Sequence, residues 1–233
     1  MWRVIEVAMF WNDDEDEQRA YRPPTDIFDL TFKLHGQSIA IDHAASLANA
    51  LRDKIAPEAC QRLGVHGIRL AISGNGWMRS EADDARVPLP RRARLAVRLH
   101  RRDYDEVMRI SHSRIDLEGH EIGIGESRVR DLSTLDTLFA RSVACAPDQS
   151  ESDFLTDVDA ELRTLGIEAN KMLCGRSGRI RTEDGGIFTR ALLIAGLRPR
   201  DSVALQRHGL GPHRLLGCGL FVAHKGIDPV SGV

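Results

Sequence analysis

Apolar positions along the chain switch repeatedly between a two-residue period and a helical one, the pattern of strands interleaved with helices. From Thr25 to Leu34 the residues Ile27, Phe28, Leu30, Phe32 and Leu34 predict a strand. Ala44, Leu47, Ala48, Leu51 and Ile55 then recur at helical spacing, with Asp42 placed to cap the helix and Pro57 to stop it. A second strand is expected over Gly67–Ser73, ahead of the turn Gly74-Asn75-Gly76. Over Arg94–His100 the alternation is strict. Leu95, Val97 and Leu99 fall on one face and Arg94, Ala96, Arg98 and His100 on the other, which predicts one core face and one basic face. A helix over Asp103–Ile110 and a hairpin around Glu118-Gly119-His120 complete a β-α-β-β-α-β order, the ferredoxin-like pattern.

The second half repeats that order. Leu138–Ala144 reads as a strand, and Ser150-Glu151-Ser152-Asp153 opens a helix whose stripe is Phe154, Leu155, Val158, Leu162 and Leu165, ended by Gly166. Strands over Gly178–Thr182 and Ile187–Leu197 flank the turn Glu183-Asp184-Gly185-Gly186. Asp201 is placed to cap a short helix through Arg207, and Leu215–Ala223 returns as a last strand. The halves share no sequence identity, so the reading is an α+β chain of tandem ferredoxin-like domains, with a single larger α+β domain as the competing account. The expected divisions are an N-terminal segment over 1–24, a first domain over 25–136 and a second over 137–233.

Composition narrows the class. The chain has 233 residues, 42% hydrophobic and 28% charged, enough for one large or two small globular domains. Its longest apolar stretch, Ala191–Ala195 with Gly196 and Leu197, is far short of the ~20 residues that cross a bilayer, so no membrane partner is expected. Met1–Trp11 lacks the pattern of a secretory signal, which predicts a cytoplasmic protein. Cys60, Cys145, Cys174 and Cys218 stand too far apart for a zinc knuckle or a disulfide framework. No His/Asp/Glu set has metal-ligand spacing, so neither a metal nor a cofactor is expected.

Charge changes the picture further. Setting aside the acidic run Asp13–Glu17 leaves 29 acids against 32 Lys+Arg, a body of net charge +3. Arg86–Arg102 holds seven arginines and no acid, and Lys171–Lys225 holds ten Lys+Arg against Glu183, Asp184 and Asp201. Arginine-dominated clusters of this kind supply phosphate contacts in nucleic-acid-binding proteins.

The most specific stretch is His208-Gly209-Leu210-Gly211-Pro212-His213-Arg214-Leu215-Leu216-Gly217-Cys218-Gly219-Leu220-Phe221. Its glycine spacing fits neither the dinucleotide fingerprint nor a P-loop. The amides of Gly209, Gly211, Gly217 and Gly219 are candidates for close approach to phosphate, with His213 and Arg214 as cationic donors. This stretch resembles the glycine-rich motif of the RAMP superfamily. Together with Leu197-x3-Asp201-Ser202-x3-Leu205-Gln206-x3-Gly209 and Ile41-Asp42-His43-x3-Leu47, it is similar to the Cas6 group of CRISPR-associated endoribonucleases, over roughly Thr25 to His224. The acidic insertion and the small residues Ala44, Ala45 and Ala48 depart from the group's pattern.

The resemblance implies cleavage of CRISPR repeat RNA, retention of the mature crRNA and passage into a complex with other Cas proteins. Without metal, that reaction runs by attack of a ribose 2′-hydroxyl on the adjacent phosphate, leaving a 2′,3′-cyclic phosphate and a 5′-hydroxyl. His43, at the start of its helix, is the first candidate base, because the helix dipole favours its neutral form. His66 and Ser46 are the secondary catalytic candidates. RNA contacts are expected from Arg91, Arg92, Arg94 and Arg98 in the first half and Arg176, Arg179, Arg181 and Arg214 in the second. Two other classes compete: a non-catalytic crRNA-binding subunit of the same system, and a ferredoxin-like regulator that binds a small molecule.

Overall fold

A computed structural model describes residues 21–70 and 86–224. In the first half, strand β1 (Ile27–His35) is followed by the short β2 (Ser38–Ala40), helix α1 (Ala44–Arg52), the one-turn helix α2 (Pro57–Cys60) and β3 (Gly64–His66). Then come β4 (Arg86–Pro88), β5 (Arg94–His100), helix α3 (Tyr104–Met108), β6 (Arg114–Asp116) and β7 (Glu121–Arg130). The second half contains β8 (Leu138–Ala144), α4 (Glu151–Thr164), β9 (Lys171–Thr182), β10 (Gly185–Ala195), α5 (Pro199–His208) and β11 (Phe221–Ala223).

The sheets give the topology. The first runs β3-β5-β1-β7-β6 and the second β11-β8-β10-β9, every pair antiparallel. Setting aside β6, which extends the first sheet by a hairpin, each sheet places its first and third main strands in the centre. That is the ferredoxin-like arrangement, made twice. Each core follows from the alternation: Phe28, Leu30 and Phe32 of β1 pack with Leu95, Val97 and Leu99 of β5 and with Leu47 and Leu51 of α1, all nearly or fully buried. In the second half Leu138, Ala140, Leu192 and Ile194 close against Phe154, Val158 and Leu162 of α4.

Local chemistry accounts for most boundaries. Ser150 caps α4, its Oγ accepting from the Asp153 N–H at 3.1 Å, and Gly166 ends the turn beyond it at φ 69°. Glu118 and Gly119, at φ 56° and 82°, make the two-residue turn between β6 and β7. Several expectations change, among them the strand expected over Gly178–Thr182, which runs Lys171–Thr182, and the helix expected over Asp103–Ile110, which is only Tyr104–Met108. The strand after α1 is Gly64–His66 rather than Gly67–Ser73; residues 67–70 leave the sheet, while Ser73 and the Gly74-Asn75-Gly76 turn, like the acidic run, lie outside the described residues. Asp42 does not cap α1: the N-cap residue is His43, and the Asp42 carboxylate accepts from the Arg181 N–H at 2.9 Å. Asp201 sits inside α5 beneath the N-cap Arg198, whose Nε donates to it at 2.7 Å, and Pro199 takes the first helical turn. The last strand is only Phe221–Ala223, because Arg214–Leu216 form a 3-10 turn and the glycines fold back on themselves.

Candidate functional site

The two halves meet along a seam of buried polar groups. Arg98, only 1% exposed, grips Asp29 with both arms at 2.8 and 2.9 Å and also donates to the carbonyls of Gln206 and Phe221 at 2.8 and 2.9 Å. Burial pushes the Asp29 carboxyl up, but Arg98 and the neighbouring His66 overcome it and hold it far below the usual carboxylate range. Gln206 and Ser202 tie down the segment joining the halves: the Gln206 amide donates to the Ser133 carbonyl at 2.6 Å, and Ser202 Oγ donates to that of Leu135 at 2.7 Å. Arg207 adds a pair with Asp26 at 2.5 Å. The Asp201-Ser202-x3-Leu205-Gln206 motif therefore helps to join the halves.

The glycine-rich stretch is a knot between them. Gly209 N donates to Leu205 O at 2.8 Å, Gly211 N to Glu161 Oε1 at 2.7 Å, Gly217 N to Arg214 O at 3.1 Å and Gly219 N to Ser142 O at 2.7 Å. All four amides expected to cradle phosphate are thus occupied by this chain's own acceptors. A β-carbon on Gly219, at φ 66°, would lie 1.8 Å from the Leu210 carbonyl oxygen, so glycine is needed there for closure of the loop. Arg214 also departs from expectation. Its guanidinium donates to the last-turn carbonyls of His208 and Arg207 in α5, and burial, with the nearby charge of Arg98, lowers its pKa to about 10. Arg98 and Arg214 were expected to meet RNA; both are instead committed to joining elements inside the protein.

Beside this seam lies a cleft of about 720 Å³, lined by Asp42, Ser46, Asn49 and Arg52 from the first half and by Arg181 and His213 among others from the second. Ser46 Oγ donates to the His43 carbonyl at 3.2 Å while facing the cleft. His213 is exposed there in a left-handed conformation, φ 69°, its carbonyl accepting from Leu216 and Cys218. Arg181 holds Asp42 through its backbone and, at 3.4 Å, through Nε.

His43 stands behind the cleft wall, 6% exposed. Its Nδ1 lies 3.0 Å from Ala40 O and 3.1 Å from Ile41 O; carbonyls only accept, so Nδ1 carries the proton, and Nε2 accepts from the Ile68 N–H at 3.1 Å. Burial lowers its pKa, so the ring is a neutral imidazole whose lone pair is taken by a backbone amide. His66 is not in the cleft. Its Nε2 is buried without a hydrogen-bond partner, 3.6 Å from Asp29 Oδ1, and burial lowers its pKa against the pull of that carboxylate.

The remaining arginines divide by position. Arg91, Arg92 and Arg94 are exposed at the entry to β5, Arg94 donating to the Ala93 carbonyl at 2.8 Å. Arg176 and Arg179 are exposed on the long β9–β10 hairpin, where Arg179 lies over the Phe188 ring at 5.4 Å. Arg52 on the cleft wall and two further arginines escaped the sequence reading. Arg141 is the one charged residue in the strand Leu138–Ala144, and Arg69 follows the amide that holds His43. For Arg141, a lone charge in a mostly apolar strand was the available signal. Among the described residues no group of three His, Cys, Asp or Glu side chains is placed to hold a metal ion, and no helix is long and apolar enough to cross a membrane.

Fold and site thus define a tandem ferredoxin-like protein with a histidine- and arginine-bearing cleft between its halves. The chain belongs to the Cas6 family of CRISPR proteins, whose family model matches residues 28–226. It is 27% identical over 203 residues to the CRISPR-associated endonuclease Cas6 of Myxococcus xanthus (strain DK1622), covering 83% of this chain and 80% of the relative. Among solved structures, a CRISPR-associated Cas6 protein superposes with a TM-score of 0.58 at 9% identity, over 85% of this chain and 100% of the other. The product of a Cas6-related gene from Pyrococcus furiosus gives the same TM-score of 0.58 at 11% identity, over 84% and 97%. These two likenesses establish the fold.

Proposed function

We propose that this protein is an endoribonuclease that cuts CRISPR repeat RNA by metal-independent transesterification and keeps the mature crRNA, which it carries into a complex with other Cas proteins. The observation that supports this most is that, in a Cas6-family chain, a hydroxyl, an imidazole and a guanidinium from both halves (Ser46, His213 and Arg181) face one cleft beside His43. In this reading a ribose 2′-hydroxyl attacks the adjacent phosphate and its proton passes to a neutral imidazole. The phosphorane then expels the 5′-oxygen, which takes up a proton and leaves a 2′,3′-cyclic phosphate behind. His43 is the candidate base, already neutral in its pocket. Its Nε2 becomes available when the Ile68 amide gives way, a movement open to a segment that has left the sheet. The exposed arginines Arg91, Arg92, Arg94, Arg176 and Arg179 supply further phosphate contacts along the bound RNA.

The Ile68–His43 hydrogen bond favours a second reading, in which His43 is a structural tie and the chain binds repeat RNA without cutting it. Incubation with repeat RNA in EDTA separates the two. Cleavage by the parent that His43→Ala abolishes while His213→Ala does not establishes the reaction class and the base together. Tight binding with no cut establishes the second reading. Loss of cleavage in His213→Ala alone moves the base to the open imidazole.

A further inference from the structure

Arg141 stands at an irregularity in its strand. In the β8–β10 register Val143 pairs with Arg190 and Ala140 with Leu192, so Arg141 and Ser142 together oppose the single residue Ala191. The extra residue is a β-bulge, a device that re-aims a side chain. The same bulge carries the glycine knot, since the Ser142 carbonyl accepts from Gly219 N at 2.7 Å. On the other side of that knot, a β-carbon at Gly217 would lie 3.2 Å from Val65 O and 3.6 Å from Gly67 N. The bulge bearing Arg141 is thereby linked through the glycine knot to the segment that runs through Ile68, whose amide holds His43, to Arg69.

Beside His43 the junction carries the Asp42 carboxylate, which Arg181 already holds, and the two arginines Arg69 and Arg141. Among the described residues, neither Arg69 nor Arg141 has a hydrogen bond or ion pair. Arg141 is exposed yet partly desolvated, and that desolvation together with the charge of Arg69 lowers its pKa. The Arg141 charge in turn acts on the His43 ring. Like charges on the two sides of this junction repel each other, and a bound anion relieves that repulsion. Arg69 and Arg141 are exposed, whereas the buried Arg98 and the half-buried Arg214 are matched, the first by Asp29 and the second by helix carbonyls.

We propose that Arg69 and Arg141 form a clamp for one backbone phosphate of a bound RNA strand, at the junction of the two halves beside His43. This rests on the RNA-processing reading above and assigns to it a phosphate site that bridges both halves. A phosphodiester suits the pair because each guanidinium can donate to a separate non-bridging oxygen while the single negative charge lies between them.

The test uses the full chain and a fluorescent repeat RNA with 2′-fluoro riboses, which lacks the attacking hydroxyl, titrated over a range of salt concentrations. Each of Arg69→Gln and Arg141→Gln is expected to weaken binding about tenfold and to flatten the salt dependence by about 0.7 in the log–log slope, the value of one single-strand phosphate contact. Arg141→Lys is expected to restore the slope, because it keeps the charge on a flexible stem. Parent-like affinity and slope in both glutamine variants overturn the clamp, as does an Arg141→Lys slope that stays with the glutamine variant. Cleavage of ordinary repeat RNA is read in parallel. A parent that binds with the expected arginine dependence yet cuts nothing upholds the clamp and removes the endoribonuclease reading. A parent that cuts, with glutamine variants that bind and cut as it does, removes the clamp and leaves that reading standing. A parent that binds no RNA removes both.

Discussion

Arg98 and Arg179 both lie on strands of ferredoxin-like halves with the same strand order, and both come from arginine-rich stretches. Arg98 is in β5, a strand flanked by β1 and β3 and covered by the other half, so it is shielded from solvent and four of its five N–H donors are matched to a carboxylate and two carbonyls. Arg179 is in β9, an edge strand, where it is exposed over an aromatic ring. The same residue type is a bolt in one half and a surface contact in the other. The difference lies in the position of the strand within its sheet and in what covers it, since burial makes an unmatched charge costly while exposure leaves it free for a partner.

Breaking the bolt gives the largest effect. Arg98→Ala leaves Asp29 buried and unpaired and is expected to cost about 3–5 kcal/mol of stability, read by denaturant unfolding. Arg179→Ala in the same assay is expected to change stability by less than about 0.5 kcal/mol. The glycine knot comes next. Gly219→Ala meets the Leu210 carbonyl and is expected to cost about 2–4 kcal/mol from overpacking and left-handed strain together. Gly211→Ala shares the positive φ but meets nothing within 4 Å, and is expected to cost only about 1 kcal/mol.

The pH dependence of stability sharpens the contrast from the buried side. His43 and His66 have folded pKa values below their ordinary 6.5, so the unfolded chain takes up protons first as pH falls. Their contribution is complete above about 6.5 and lost below it; the midpoint of thermal unfolding is expected to drop between pH 7 and pH 5, and less steeply in His66→Gln. Asp29 acts in the same direction at lower pH. Its folded pKa is depressed, so its stabilisation is present above the ordinary carboxylate value and lost as pH falls through the acid range. The smallest effect on the fold is the most telling for the surface. Arg176→Gln and Arg179→Gln are expected to leave unfolding curves unchanged while each flattens the salt dependence of RNA binding by about 0.7–0.9.

The two-residue and helical periods carried the element order because side-chain alternation is a local property of the backbone. The strands Arg94–His100 and Leu138–Ala144 are found with the boundaries expected of them. Capping was legible at Ser150, where a serine precedes an acidic first turn and an apolar stripe, and misleading at Asp42, whose carboxylate is taken by Arg181 from 139 residues away. The short β3 was displaced for a similar reason. Gly64–His66 is a strand because it pairs with β5, and that pairing is set by the sheet. The cleft was legible only in pieces: Ser46 and His213 were singled out, yet nothing local placed them on one cavity.

By itself, then, the sequence determined the tandem α+β plan, the arginine-rich stretches, the glycine motif and the family they mark. Tertiary structure alone decided which arginines are bolts and which face solvent, that the glycine amides are occupied within the chain, and that His43 is locked while His213 is open. It also linked the bulge bearing Arg141 to the segment bearing Arg69. The physical reason is that periodicity and turn chemistry are written in neighbouring residues, whereas the burial of a charge, the partner of a donor and the accessibility of an imidazole depend on groups that only the folded chain brings together.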